Sequence, residues 1–381
     1  MPVFSQLPPL SLYIHLPWCE RKCPYCDFNS HAVNELPEER YIQALIQDLE
    51  YQLPTIWGRR IVSVFMGGGT PSLFSPEAIS RLISTIHSHL NCIPGMEITL
   101  EANPGSVEQQ KFNEFFAAGI NRLSMGIQSF DDRSLQALGR IHTAAEAERG
   151  ARVAMDAGFE NINLDLMFGL PQQSLEQGLA DLRRAIELSP QHISWYQLTI
   201  EPNTLFYHQP PAVPDEDRLW ALQQQGQQML AAAGYGQYEI SAYAKAGGMC
   251  AHNINYWQFG DYLALGAGAH GKISRGDTGE IRRYWQLRQP ESYMRAAADK
   301  SSDSEILDEK QIVLEFMLNA LRLKSGFALS LFEQHSGLES SAILGTCEQA
   351  LKDGLMQRTA TGFAASPQGY LFLNDLINRF A

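Results

Sequence analysis

No stretch of this 381-residue sequence strings together the roughly eighteen apolar residues that a membrane-spanning helix needs. An integral membrane segment is therefore not expected. Positive charge is also in short supply: 29 Lys and Arg face 42 Asp and Glu, for a formal net charge of −13. A chain this acidic is a poor match for a phosphate backbone, which is held by clustered Lys and Arg. Residues 301–381 alone carry six basic and ten acidic side chains, so no basic module hides there and no nucleic-acid partner is expected. The opening "MPVFSQLPPLSLYIHLPWC" lacks the basic start and continuous apolar stretch of a secretory signal, which predicts a cytoplasmic protein. Cysteine is scarce, with six in the chain. In a reducing compartment, thiols that cluster more often bind metal than pair with one another. No internal repeat or low-complexity tract interrupts the sequence.

What is present is an alternation of short β-rich runs and amphipathic segments. "LSLYIHL", "IVSVFMGGG" (61–69), "EITLEANP" (97–104), "RLSMGIQS" (122–129), "NINLDLMFGLP" (161–171) and "HISWYQLTIEP" (192–202) read as strands. Between them "PEERYIQALIQDLEYQL", "SPEAISRLISTIHSHL", "SVEQQKFNEFFAAG" and "SLEQGLADLRRAIEL" read as helices, several opening with Ser or Pro and then an acid. Strict alternation of this kind predicts βαβ units and a parallel sheet, hence an α/β fold. Six units fit residues 11–202, which suits a partial (β/α)6 barrel better than a three-layer sheet. Either architecture puts ligands at the carboxyl ends of the strands. The predicted organisation is a barrel over 1–202, an extension with short strands over 203–300, and a smaller, mainly helical C-terminal domain over 301–381. That last part ends in "GFAASPQGYLFLN", read as a hairpin; with the helices before it, it would make a winged-helix-like unit serving as a partner or homodimer surface.

Half of the cysteines fall within eight positions: Cys19, Cys23 and Cys26, spaced C-x3-C-x2-C directly after the first strand. Thiolates are soft ligands suited to iron and zinc. A structural zinc site wants four closed ligands, commonly in paired C-x2-C halves, and ordinary iron–sulfur clusters take four cysteines. Three thiols on one loop imply a metal corner left open for a substrate or cofactor; a zinc site completed by His15, His31 or a distant Cys is the alternative. Cys92, Cys250 and Cys347 have no such spacing and read as buried structural thiols. The glycine run of "MGGGTPS" (66–72) ends the second strand, where bare backbone can approach a ligand. Glu101, Gln128 and Asp165 each sit near the end of an apolar strand, as a barrel-mouth site requires. His252 in "HNINYW" (252–257) has aromatic neighbours, and a neutral imidazole is a normal axial ligand for haem iron, although such a residue is also a common structural hydrogen-bonder. His270 in "GAGAH" is a second candidate.

The triad resembles that of the radical S-adenosylmethionine (SAM) superfamily. The resemblance implies that Cys19, Cys23 and Cys26 hold three irons of a [4Fe–4S] cluster, that SAM takes the fourth iron, and that one electron cleaves SAM to an adenosyl radical. It also implies that Gly68, Gly69 and Thr70 meet the SAM amino group, with Glu101, Gln128, Asp165 and Arg140 completing the SAM site and Tyr13 orienting the ligand from below. "YIHLPWCERKCPYCDFNSH", "GGGTPS", "EANPGS", "RLSMGIQSF", "NLDLMFGLPQQ", "YQLTIEPNT" and "HNINYW" together resemble the HemW family of haem chaperones, long grouped with the oxygen-independent coproporphyrinogen III oxidases of porphyrin biosynthesis. That likeness implies haem as a further ligand, with His252 as axial ligand and Tyr256 and Trp257 as pocket walls, and haem-accepting proteins such as respiratory enzymes as partners. The oxidase carries a further cysteine two positions past the triad, where this chain has Phe28, and a longer segment before its first strand. Both departures count against coproporphyrinogen decarboxylation, the alternative activity. Whether SAM cleavage is turned over as an enzyme reaction does not follow from the sequence.

Overall fold

The computed structural model describes residues 2–381. Among them twelve strands form one sheet. Six come from the repeated units: β1 (Leu10–Leu16), β2 (Arg60–Gly68), β3 (Asn91–Ala102), β4 (Arg122–Gln128), β5 (Asn161–Phe168) and β6 (His192–Gln197). They pair in chain order and in parallel. The crossovers contain α1 (Glu38–Gln52), α2 (Pro76–His89), α3 (Ser106–Ala117), α4 (Ala144–Asp156) and α5 (Leu175–Leu188). Ser75 caps α2 through its side chain with Pro76 in the first turn, and Ser174 with Gln177 forms a capping box on α5. The fold is a partial barrel of the α/β class.

The residues after 202 do more than append to it. α6 (Glu216–Ala232) packs on α5, and β7 (Ala242–Ala244) joins the β6 edge antiparallel. β8 (Asp261–Leu265) then crosses to the opposite edge and pairs with β1 in parallel, a seventh parallel strand that the six-unit pattern did not foresee. β9 (His270–Arg275), β10 (Glu280–Gln286) and β11 (Ser301–Ile306) continue from it as an antiparallel meander.

Strand parity divides the barrel. Leu12, Ile14, Val64, Met66, Leu100, Leu123, Leu164 and Ile193 are buried on the outer face, in one core with Tyr41, Leu45 and Leu49 of α1 and Leu82 of α2. The alternate positions carry Ser11, Tyr13, His15, Ser63, Glu97, Glu101, Ser124, Asp165 and Ser194, so the barrel interior is polar. A second core forms around Phe259, Ile281, Phe316, Phe332, Phe363 and Leu376. It gathers α8 (Glu309–Ala320), α9 (Leu329–Ser336), α10 (Ser341–Lys352) and a three-stranded antiparallel sheet of residues 327–328, 356–358 and 362–365. The hairpin expected in "GFAASPQGYLFLN" is only half there. Gly362–Ala365 pairs backwards with Met356–Arg358, whereas Ser366 and Pro367 start a helix, the side chain of Ser366 accepting the Gly369 amide.

Asp261 at the start of β8 anchors the join between the two cores. Its carboxylate is fully buried, 2.9 Å from Lys272 Nζ and 2.8 Å from Arg59 Nη1, and accepts the Ser274 amide and hydroxyl. Burial alone would raise its pKa, but the two cations more than reverse this and hold it below the ordinary value. Replacing Asp261 with Ala strands two buried cations and is expected to cost roughly 3–5 kcal/mol of stability, read as a lower urea midpoint. Because the folded-state pKa is depressed, the wild-type advantage should hold above about pH 4 and fade as pH falls through that lowered value.

Candidate functional site: a thiol-lined cavity at the barrel mouth

The site begins where β1 ends. Residues 17–30 leave the strand as a loop whose base is strapped twice. Trp18–Cys19 pairs in parallel with His31–Ala32, and the Gly69 and Thr70 amides donate to Leu16 and Trp18 carbonyls at 2.9 and 2.7 Å. Glycine is required for this crossing. A Cβ on Gly69 would stand 2.5 Å from the Trp18 carbonyl oxygen, and one on Gly68, whose φ is +115°, would run into the His15 ring. His15 itself is fixed on both nitrogens. Asn29 O can only accept, so Nε2 donates to it at 2.9 Å, and Nδ1 accepts from Tyr13 Oη at 3.0 Å. Burial lowers the His15 pKa to about 4, which keeps the ring neutral.

Cys19, Cys23 and Cys26 ring one cavity of about 340 Å³ together with Gly68, Gly69, Thr70, Glu101, Gln128, Arg140 and Asp165. Of the residues singled out for SAM, Tyr13 alone stands outside the lining. It lies behind His15, stacked on Phe65. A chain of donors reaches the sulfurs. Thr70 Oγ1 donates to Cys19 Sγ at 3.5 Å and accepts from Asn103 Nδ2 at 3.2 Å. Arg140 Nη2 donates to Asn103 Oδ1 at 2.6 Å, and Nη1 points at Cys23 Sγ at 3.7 Å. Cys26 Sγ lies 3.5 Å from Ser30 Oγ. Donors aimed at a sulfur favour its thiolate form, the form that binds metal, although at Cys19 burial outweighs the Thr70 bond and raises the thiol's pKa.

Asn103 is the residue missed in the sequence; it stands two positions past Glu101 in "EANP" and joins the two halves of the relay. Tyr196, which donates to Gln128 Oε1 at 2.8 Å, was missed as well. Arg140 Nε is buried with no partner among the described residues, the kind of vacancy an anionic ligand group fills. No three His, Cys, Asp or Glu among the described residues are placed to hold a single metal ion. The thiols surround a space instead of a point, which suits a multi-iron cluster giving each sulfur its own iron better than one zinc. Cys92 opens β3, Cys250 precedes α7 (Ala251–Trp257), and Cys347 lies in the second core.

Two model descriptions match this chain: the radical SAM superfamily over residues 13–185 and the HemN C-terminal domain over residues 307–372. Heme chaperone HemW of Haemophilus influenzae is 50% identical over 385 residues, covering 98% of each chain. That of Escherichia coli is 48% identical over 377 residues, covering 98% of this chain and 99% of its own, and that of Bacillus subtilis is 33% identical. The chain belongs to the HemW family. In fold it is similar to the coproporphyrinogen III oxidase HemN of E. coli, with a TM-score of 0.82 at 23% identity over 98% of this chain and 90% of that one. Membership in the radical SAM superfamily implies a [4Fe–4S] cluster and SAM, and the donor set just described fits both.

The "HNINYW" segment of this HemW-family chain is α7, a helix between the strands of the extension, and it closes the other end of the barrel. Glu97 caps it, accepting the Ala251 and His252 amides at 3.1 Å each. Asn255 Nδ2 donates to Ser11 Oγ at 2.8 Å, and His252 Nδ1 pairs with Ser63 Oγ at 3.2 Å. The His252 ring packs 5.1 Å from Phe65, and burial lowers its pKa to about 3. Tyr256 packs on Tyr262, while Trp257 stacks under Arg322 at 4.2 Å. None of the three lines the thiol cavity. In this structure the helix is a plug, held by three strands. Among the described residues no helix is long and apolar enough to cross a membrane.

Glu101 supplies a pH test. Burial first, and then neighbouring Asp165, push its carboxyl up to about 7, although Gly68 N donates to it at 3.0 Å. An acid with a raised folded-state pKa costs stability at high pH and nothing once both states are protonated. Glu101→Gln should therefore raise the melting temperature of cofactor-free protein above pH 7. The gain should shrink between pH 7 and the ordinary value of 4.5.

Proposed function

We propose that this protein is a radical SAM haem chaperone. It binds a [4Fe–4S] cluster through Cys19, Cys23 and Cys26, SAM in the adjoining cavity, and haem, which it passes to haem proteins such as respiratory enzymes. The reading rests on membership in the HemW family and on one observation: three thiols, two of them facing side-chain donors, share a cavity with no fourth cysteine in its lining. Phe28 stands at that edge, 62% exposed. A cluster held there, when loaded, supplies the electron for reductive cleavage of SAM. The chain's own part is to place and neutralise the ligand. Gly68–Thr70 offer bare backbone, Arg140 Nε is free for a carboxylate, and Glu101 and Asp165 provide negative charge for the ammonium and sulfonium groups. We read residues 1–202 as the cofactor-binding barrel, 203–300 as its extension, and 301–381 as a winged-helix-like unit that meets acceptors or a second copy. Its acidic composition favours protein partners in the cytoplasm over anionic lipid.

Single Cys19→Ala, Cys23→Ala and Cys26→Ala variants, reconstituted anaerobically, should lose the cluster's visible absorption and its reduced EPR signal. Arg140→Ala should keep iron but bind SAM about tenfold or more weakly by equilibrium dialysis. If all three cysteine variants retain a reducible cluster, the site is wrong. Coproporphyrinogen decarboxylation, the second reading, draws support from the HemN-like fold alone. An anaerobic product assay with loaded wild-type protein should show no vinyl product.

A further inference from the structure

A haem-binding chain needs three things at one place: an imidazole free to ligate, apolar surface for the macrocycle, and cations for two propionates. The sequence holds ten histidines. His15, His142, His192, His252 and His335 are buried and hydrogen-bonded, and His31 Nε2 is buried. His270 differs. It is exposed at the start of β9, meets Trp285 edge-on at 5.9 Å, and no group among the described residues hydrogen-bonds its ring.

The turn before His270 is pinned to the cysteine loop. Asn29 Nδ2 donates to Ala267 O and Arg288 O at 2.9 Å each, across a point where Gly268 leaves room. This brings His270 to the same rim as Phe28. Lys22 and Arg288 are exposed there, and no carboxylate among the described residues forms an ion pair with either. Lys22 donates only to the Phe28 and Ser30 carbonyls, and Arg288 to Asn29.

We infer that haem docks on this outer rim, with His270 as an axial ligand, Phe28 and Trp285 against the macrocycle, and Lys22 and Arg288 toward the propionates. The inference rests on the haem-chaperone reading above and goes further by placing the ligand outside the cofactor cavity, at the end of the barrel opposite α7.

The test is an anaerobic titration of full-length, cluster-loaded protein with ferric haem, followed by visible absorption and gel filtration. Wild type should retain a Soret band. His270→Ala should bind about tenfold or more weakly with an altered spectrum, and added imidazole should restore the wild-type band. His208→Ala, at an exposed imidazole beside Tyr207, should match wild type, and Lys22→Glu with Arg288→Glu should weaken binding without changing the band. Wild-type affinity and spectrum in His270→Ala would overturn the rim site while leaving the chaperone reading standing. So would loss of the band in His252→Ala with His270→Ala unaffected. Loss of all haem from wild type on the column would overturn both.

Discussion

The candidate site depends on a backbone crossing. Residues 15–19 pass over the glycine run that ends β2, and the hydrogen bonds from Gly69 and Thr70 to Leu16 and Trp18 need the peptide planes closer than any side chain at 68 or 69 permits. The crossing registers the cysteine loop to the strand ends. Thr70, placed by it, reaches Cys19 and accepts from Asn103; Asn103 turns Arg140 toward Cys23. Two thiols are thereby addressed from two different strands and a distant loop through one relay. The position of the sulfurs follows from these backbone contacts.

A polar barrel interior has to be closed without stranding its charges. Arg122, 2% exposed, is surrounded by Glu97, Asp165, His192 and Cys250. Glu97 is shared: it faces Arg122 and caps α7. His192 pairs with Asn163 Oδ1 and Tyr238 Oη, and Asn163 in turn donates to Asp165 at the cavity. The plug and the site are thus two ends of one buried network, in which leaving a single partner out is costly. This gives the histidine of "HNINYW" a physical reason to be histidine. Its ring satisfies Ser63 while presenting an apolar face to Phe65.

How much was legible follows from how far apart the partners lie. The six units, the helix starts at Ser75 and Ser174 and the clustered cysteines are local patterns, and each is where the sequence put it. The strands' strict parity, apolar outside and polar inside, was also on view in "NINLDLMF" but was read only as a polar residue near each strand end. The plug role of α7 was not legible because it comes from Ser11, Ser63 and Glu97, which lie 244, 189 and 155 residues from the groups they bind. No window of sequence contains that. The seventh strand failed for the same reason: β8 pairs with β1 across some 250 residues of chain.

Asn29 connects what the sequence kept apart. Its carbonyl takes the His15 proton behind the glycine run, and its amide holds the turn at 267 and the strand end at 288. One side of the residue is tied to the imidazole behind the glycine run and the other to the outer rim. The Cys26–Ser30 contact lies one residue past Asn29. The Asn29 bonds to His15 and Ala267 are partly buried, where unmade bonds are expensive, and the bond to Arg288 is exposed. One asparagine thus joins the histidine behind the glycine run to the backbone carbonyls at 267 and 288 on the rim.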